Sequence, residues 1–236
     1  MRVAIVQSCY LPWKGYFDLI RSADHFILLD DVQYSRGDWR NRNQIKTAAG
    51  LKWLTIALHH SGTFPAAIRN MRISEPGWNA SHCSAIQQAY GACPGWPVLR
   101  EWMKSSLLAA NAETLTEVNE FLLRSLCKLL GIRTPITQSV AHGVQCENPT
   151  ERVVRLCQAV GATHYQSGPR AKDYMEEPRF DAAGIRLEYF DYAGYPEYEQ
   201  PHGPFEHHVS IVDAIACLGA DAAQALKRES PACLLP

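Results

Sequence analysis

The chain predicts an α/β fold: a mostly parallel sheet flanked by helices, Rossmann-like, with a helical insertion. Three observations carry that prediction. Segments rich in β-branched and apolar residues alternate with segments of helical periodicity. The run HFILLDD is almost continuously apolar up to its two aspartates, as suits a strand buried on both faces of a parallel sheet. The first two such runs are separated by a turn and a helix-length segment, the crossover that parallel pairing needs. With 236 residues, 47% of them hydrophobic, the chain can fill one core, so a single domain over residues 1–236 is expected.

RVAIVQ, residues 2–7, opens as a strand. GYFDLIRSAD, residues 15–24, sets Tyr16, Leu19, Ile20 and Ala23 on one helical stripe, and HFILLDD, residues 25–31, completes a β-α-β unit. VQYSRGDWRNRNQIK, residues 32–46, is polar and broken by Gly37 and two asparagines, so it reads as a loop; KWLTIAL, residues 52–58, resumes strand character. Residues 78–90 read as a helix starting near Asn79 or Ser81. Residues 98–111 and 113–131 read as two amphipathic helices, the second stopped by Gly131, and residues 78–131 together form the helical insertion. TPITQSV, residues 134–140, is strand-like, and ERVVRLCQAVG after it is a helix with Thr150 as a natural N-cap. THYQSG and IRLEYFDY are further strands, and residues 208–219 form a last helix capped by Ser210, with Asp213 at N3 in a capping-box-like arrangement.

Charge is balanced, 23 basic residues against 24 acidic, which leaves no basic stripe to displace counterions from nucleic acid. No apolar run approaches the roughly 18–20 residues of a membrane span. The N-terminal apolar stretch is too short for a signal-peptide core, so a cytoplasmic protein is expected. The eight cysteines form no CxxC pair and none sits at zinc-finger spacing from a histidine. No metal and no cofactor is called for.

In a parallel sheet the loops at the carboxyl ends of the strands converge on the ligand crevice. Three polar sets fall there: Gln7, Ser8 and Cys9 after the first strand, Asp30, Asp31 and Gln33 after the second, and Ser167 with Gly168 after a later one. Adjacent strand residues point to opposite faces, so one of Asp30 and Asp31 is expected to face the crevice, as a metal ligand, a general base or a partner for a substrate hydroxyl or amine. Arg40, Arg42 and Lys46 interleave with Asn41 and Asn43, a mix of guanidinium forks and amides that suits phosphate, carboxylate or sugar recognition, with a solvated charge run as the simpler alternative. Cys9 becomes a nucleophile only with a base beside it, and His59, His60, His82, His202, His207 and His208 are the candidates. The cluster from His202 to His208 is too tight for a zinc set without a distant third ligand.

These residues also carry a resemblance. QSCYLPWKGYFDLI, then DDVQYSRGDWRNRNQIK with WLTIAL, the W-x-x-x-H from Trp78 to His82, YQSGPRAKDY, and a Tyr-x-Gln segment running into SIVDAI resemble the WbqC-like family over nearly the whole chain. The likeness marks Gln7, Tyr10, Pro12, Gly15, Tyr16, Asp30, Asp31, Gln33, Asn41, Arg42, Asn43, Trp53, Ser167, Gly168, Gln200, Ser210 and Asp213, while Cys9 departs from the pattern. It implies accessory enzymes of surface-polysaccharide and secondary-metabolite biosynthesis. A more distant likeness is to nucleotidyltransferases, whose His-x-Gly-His would fall on Trp13-Lys14-Gly15-Tyr16, where only the glycine is kept.

The function expected from these readings is transfer of an acyl or aminoacyl group from a carrier or activated donor to an amine or hydroxyl. Cys9, Asp30, Asp31 and His82 are the catalytic candidates; Gln7, Tyr10, Gln33, Arg42, Asn43, Lys46, Ser167, Gly168, Gln200 and His202 are the binding candidates. The partners are a small-molecule or carrier-bound substrate and an acyl or peptidyl carrier protein. Two alternatives stand beside it: non-covalent, nucleotide- or nucleotide-sugar-dependent transfer, and a non-catalytic protein that delivers an intermediate.

Overall fold

The computed structural model describes residues 1–59 and 66–226. In chain order the first half contains β1 (Arg2–Val6), α1 (Lys14–Ser22), β2 (His25–Leu28), β3 (Arg42–Thr47), β4 (Gly50–Thr55), α2 (Trp78–Tyr90), α3 (Trp96–Trp102) and α4 (Leu115–Leu129). The second half contains β5 (Ile136–Gln138), α5 (Pro149–Ala159), β6 (His164–Ser167), α6 (Glu177–Ala182), β7 (Arg186–Tyr189) and α7 (Ile211–Leu218).

Five strands pair in parallel in the order β5-β2-β1-β6-β7. The period-two alternation of strand side chains divides their apolar residues between two cores. Ala4, Phe26 and Leu28 face α1, the α2–α4 helices and α7, whereas Val3, Ile5 and Ile27 face α5 and α6. Both faces are therefore covered, which is why residues 26–29, FILL, have no polar interruption. Phe26 is fully buried against Tyr16, and its truncation to Ala would cost about 3–5 kcal/mol. Helices 78–131 share the α1 core instead of building their own.

Two features of the first helix follow from its neighbours. Gly15 is required because the Trp13 indole lies on it: a Cβ there would collide with the ring. Tyr16 turns its hydroxyl back to the Gln7 carbonyl, tying the helix to the loop after β1.

Several expectations are corrected. Residues 42–47, read as loop, form β3, which pairs antiparallel with β4 in a separate two-stranded sheet. Its asparagines mislead because Asn43 is buried with its amide satisfied by the Tyr10 and Leu11 carbonyls, so a polar residue sits on a core face. The N-cap of α5 is Asn148, whose side chain accepts from the Glu151 N–H; Thr150 lies inside the first turn and takes the Glu176 N–H instead. Helix α2 starts after Gly77 in a left-handed conformation, without a side-chain cap from Asn79 or Ser81. Ser210 caps α7 as expected, but the Asp213 carboxylate is engaged by Tyr90, Tyr198 and Gln200, so no capping box forms. Helix α3 runs on into a π-helical turn at Met103–Leu107. Among the described residues no helix is long and apolar enough to cross a membrane.

Candidate functional site

The chain winds from β1 outward through β2 to β5, then crosses back to β6 and β7, so the direction reverses between β1 and β6. A ligand crevice is expected at the carboxyl ends of those two strands. Here the protein's own aromatics meet across that place. Trp13, at the end of the β1 loop, packs against Tyr192 and Tyr195 from the segment after β7, and the Tyr192 hydroxyl approaches Gly168 after β6. Ser167 is buried, accepting from the Tyr165 hydroxyl and giving its carbonyl to the Phe190 N–H.

The loop after β1 is held from inside. Asp30 takes the Ser8 N–H at 2.8 Å on one oxygen and the Thr116 hydroxyl at 2.8 Å on the other. It is 1% exposed, and burial raises its carboxyl above the ordinary range against the pull of these bonds and of Arg40. Arg40 donates to the Gln7 and Ser8 carbonyls and lies 3.1 Å from the Cys9 sulfur, with Asp38 on its other nitrogen. Asn119 of α4 closes the network by donating to the Ser8 hydroxyl and the Arg40 carbonyl. Burial pushes the Cys9 thiol up to about 11, and no histidine is among its hydrogen-bond partners.

His82, the candidate base, is engaged elsewhere. Its Nδ1 meets the Tyr10 hydroxyl at 2.8 Å, it also bonds the Thr55 backbone, and burial lowers its pKa to about 4. It joins α2 to the β1 loop and to the β3–β4 hairpin as a neutral ring. His60 lies outside the described residues.

A third polar group gathers around α7. Lys46 donates to Gln200 Oε1 and to the Gly203 and Pro204 carbonyls, and Gln200 passes the connection to Asp213. Lys14 lies among the rings of Tyr195, Tyr198 and Phe205 and donates to the Pro196 carbonyl; burial lowers its pKa to about 8. His202 sits at the surface, against the Ala89 carbonyl. Both lysines pin the irregular segment after β7 to the body of the protein.

The open space lies at the ends of β2 and β5. A cavity of about 770 Å³ is lined by Asp31, Arg69, Asn70, Arg152 and the loop from Gly143 to Glu147, among others. Asp31 is fixed at both oxygens, by the Ser139 hydroxyl at 2.6 Å from the end of β5 and by Arg152 at 3.0 Å from the first turn of α5. Each carboxylate oxygen keeps a lone pair for a further donor. A carboxylate oriented in this way can hold a substrate hydroxyl or amine and accept its proton.

The structure therefore separates the predicted residues. Gln7, Cys9, Tyr10, Asp30 and Asn43 share the β1-loop network, Lys46 and Gln200 the α7 cluster, and Ser167 with Gly168 the closed switch point. Gln33 is exposed and bridges to Ala67. Arg42 stacks at 4.2 Å on Trp53, which with Trp39 forms an exposed aromatic pair. Of all the candidates, Asp31 alone lines the cavity. Its companions Arg69, Ser139 and Arg152 escaped the sequence reading. The one available signal was position, since Ser139 follows the strand-like TPITQ and Arg152 sits in the first turn of the next helix.

Among the described residues no group of three or more His, Cys, Asp or Glu is placed to hold a metal ion. The model of the WbqC-like protein family matches residues 7–225. Over 226 residues the chain is 42% identical to the uncharacterized protein Rv1507c of Mycobacterium tuberculosis, spanning 96% of this chain and 97% of that one. No solved structure matches, and the expected likeness to nucleotidyltransferases is not confirmed.

Proposed function

The chain belongs to the WbqC-like protein family, and from the site described above we propose that it is a group-transfer enzyme of a biosynthetic pathway. It moves an acyl or aminoacyl group from an activated or carrier-bound donor to an amine or hydroxyl acceptor, without a covalent enzyme intermediate. One observation carries the reading: Asp31 stands in a cavity of about 770 Å³ with its carboxylate fixed by Ser139 and Arg152. In this role Asp31 binds the acceptor N–H or O–H and takes its proton as the acceptor attacks the donor carbonyl; the bond from that carbonyl to the carrier sulfur or other leaving group then breaks, and the leaving group departs with the proton returned by Asp31.

The chemistry of Cys9 favours the non-covalent course. A thiol raised to about 11 is almost wholly protonated at neutral pH, and its neighbours are a guanidinium and a carbonyl, neither of which takes its proton. The alternative of a nucleotide-dependent reaction draws on the strand order, whose switch point lies between β1 and β6, but Trp13, Tyr192 and Tyr195 occupy that place.

The test is product formation. The protein is incubated with an acyl-loaded carrier protein, or an acyl thioester standing in for it, and a panel of amines and alcohols, with products followed by mass spectrometry. The expected outcome is product from wild type and Cys9→Ser and none from Asp31→Asn. Activity that survives in Asp31→Asn but disappears in Cys9→Ser overturns the reading in favour of a thiol route.

A further inference from the structure

The cavity lining is specific about charge. Arg152 is matched by Asp31, so two charged groups remain uncommitted: Arg69, whose guanidinium has no partner among the described residues, and the exposed carboxylate of Glu147. Beside them stand two side-chain amides, Asn70 and Gln145. The backbone N–H groups of residues 144–147, which form one wall, also have no hydrogen-bond partner among the described residues. Uncommitted guanidinium and amide N–H groups together are donors for an oxyanion. The Glu147 carboxylate, lining the same space, is an acceptor for a cation. The volume, about 770 Å³, falls within the range of small-molecule sites and exceeds what a bare ion needs.

We infer that this cavity binds a hydroxyl-bearing small molecule that carries both an anionic group, held by Arg69 and the backbone N–H groups of the 144–147 loop, and an amine, directed to the Glu147 and Asp31 carboxylates. The inference rests on the reading of the Asp31 cavity as the acceptor site and names the acceptor class: an amino compound bearing a phosphate or a carboxylate. The neighbouring electrostatics support this division of labour. The charge of Arg152 is already matched by Asp31, whereas that of Arg69 is not, so Arg69 is the anion-selecting residue and Arg152 positions the carboxylate.

Binding is measured by isothermal titration calorimetry with glucosamine 6-phosphate, glucosamine, glucose 6-phosphate and glucosaminate as probes. Glucosamine 6-phosphate or glucosaminate is expected to bind at least tenfold tighter than glucosamine, and the better of the two identifies the anion. Glucose 6-phosphate, which lacks the amine, is expected to bind at least tenfold more weakly than glucosamine 6-phosphate. Arg69→Ala, a surface change that leaves the thermal midpoint in place, should remove the advantage of the charged compounds, and Arg69→Lys should restore part of it. Equal binding of glucosamine and its phosphate, or an advantage that survives Arg69→Ala, overturns the inference. If binding of glucosamine still depends on Asp31 in that case, the acceptor-site reading stands alone. Absence of binding by all four probes, or binding that Asp31→Asn leaves unchanged, overturns both.

Discussion

Asp30 and Asp31 are adjacent in sequence and opposite in situation. Asp30 points toward α4, is 1% exposed, and has each oxygen taken by a donor that itself holds the β1 loop in place. Asp31 points toward α5 and lines a cavity, with its two donors arriving from the end of β5 and the start of α5. The alternation of a strand places the two carboxylates on opposite faces, and what stands on each face decides their work. One face offers the loop it must organise, the other an open space. A dense polar network and a reactive site are thus distinct things: each aspartate carries a donor on both oxygens, but Asp30 is enclosed by protein while Asp31 faces open space.

The contrast is broken or sharpened by measurement, beginning with the largest effect. Asp30→Ala leaves the Ser8 N–H and the Thr116 hydroxyl buried without an acceptor and removes a counter-charge from Arg40, so a loss of about 3–5 kcal/mol is expected in urea unfolding. A loss below 1 kcal/mol would remove the distinction between the two aspartates.

Next comes the pH dependence of the same network. His82 has its pKa lowered from 6.5 to about 4 by burial, so the unfolded chain binds the proton first. Its contribution is full above pH 6.5 and is lost as pH falls from 6.5 toward 4, amounting to about 3 kcal/mol at most. The raised carboxyl of Asp30 acts in the other direction, gaining stability as it is protonated. Comparing wild type with His82→Gln isolates the histidine: the variant should lose less stability over this interval, and parallel curves would show that His82 plays no such part.

Alkylation separates the two regions by reactivity. With its thiol raised to about 11, Cys9 should react with iodoacetamide at pH 8 about a hundredfold or more slowly than an unperturbed thiol, read by peptide mapping. Labelling of Cys9 at the rate of a free thiol would return it to the list of nucleophiles. The smallest effect is on the other aspartate. Asp31→Asn removes the charge from a largely buried ion pair but keeps an acceptor oxygen, and should cost about 1–2 kcal/mol, while removing acceptor binding.

The sequence exposed the sheet better than the site. HFILLDD reports burial on both faces because Phe26 and Leu28 meet one apolar layer and Ile27 and Leu29 the other, and that information is local. β3 was hidden because Asn43 draws its acceptors from Tyr10 and Leu11, more than 30 residues upstream. Arg40 reads as one more surface charge until its acceptors at Gln7 and Ser8 are placed beside it. Arg152 reads as the solvent side of an amphipathic helix, since the Asp31 carboxylate lies 121 residues away in the chain. Residue types and strand ends were legible locally; which capacities are spent and which remain depends on these long-range pairings.

The placement of β1 also bears on the protein's birth. Only one neighbour of this strand is local: one edge pairs with β2, but the other waits for β6, with Arg2 opposite His164. At about 5–20 residues per second on the ribosome, roughly ten to thirty seconds pass before that partner exists. During this interval the edge of an apolar strand is unpaired, a template for the wrong neighbour. Crowded expression should therefore penalise this chain through nascent-chain aggregation, and slowing its initiation should raise the yield of folded protein.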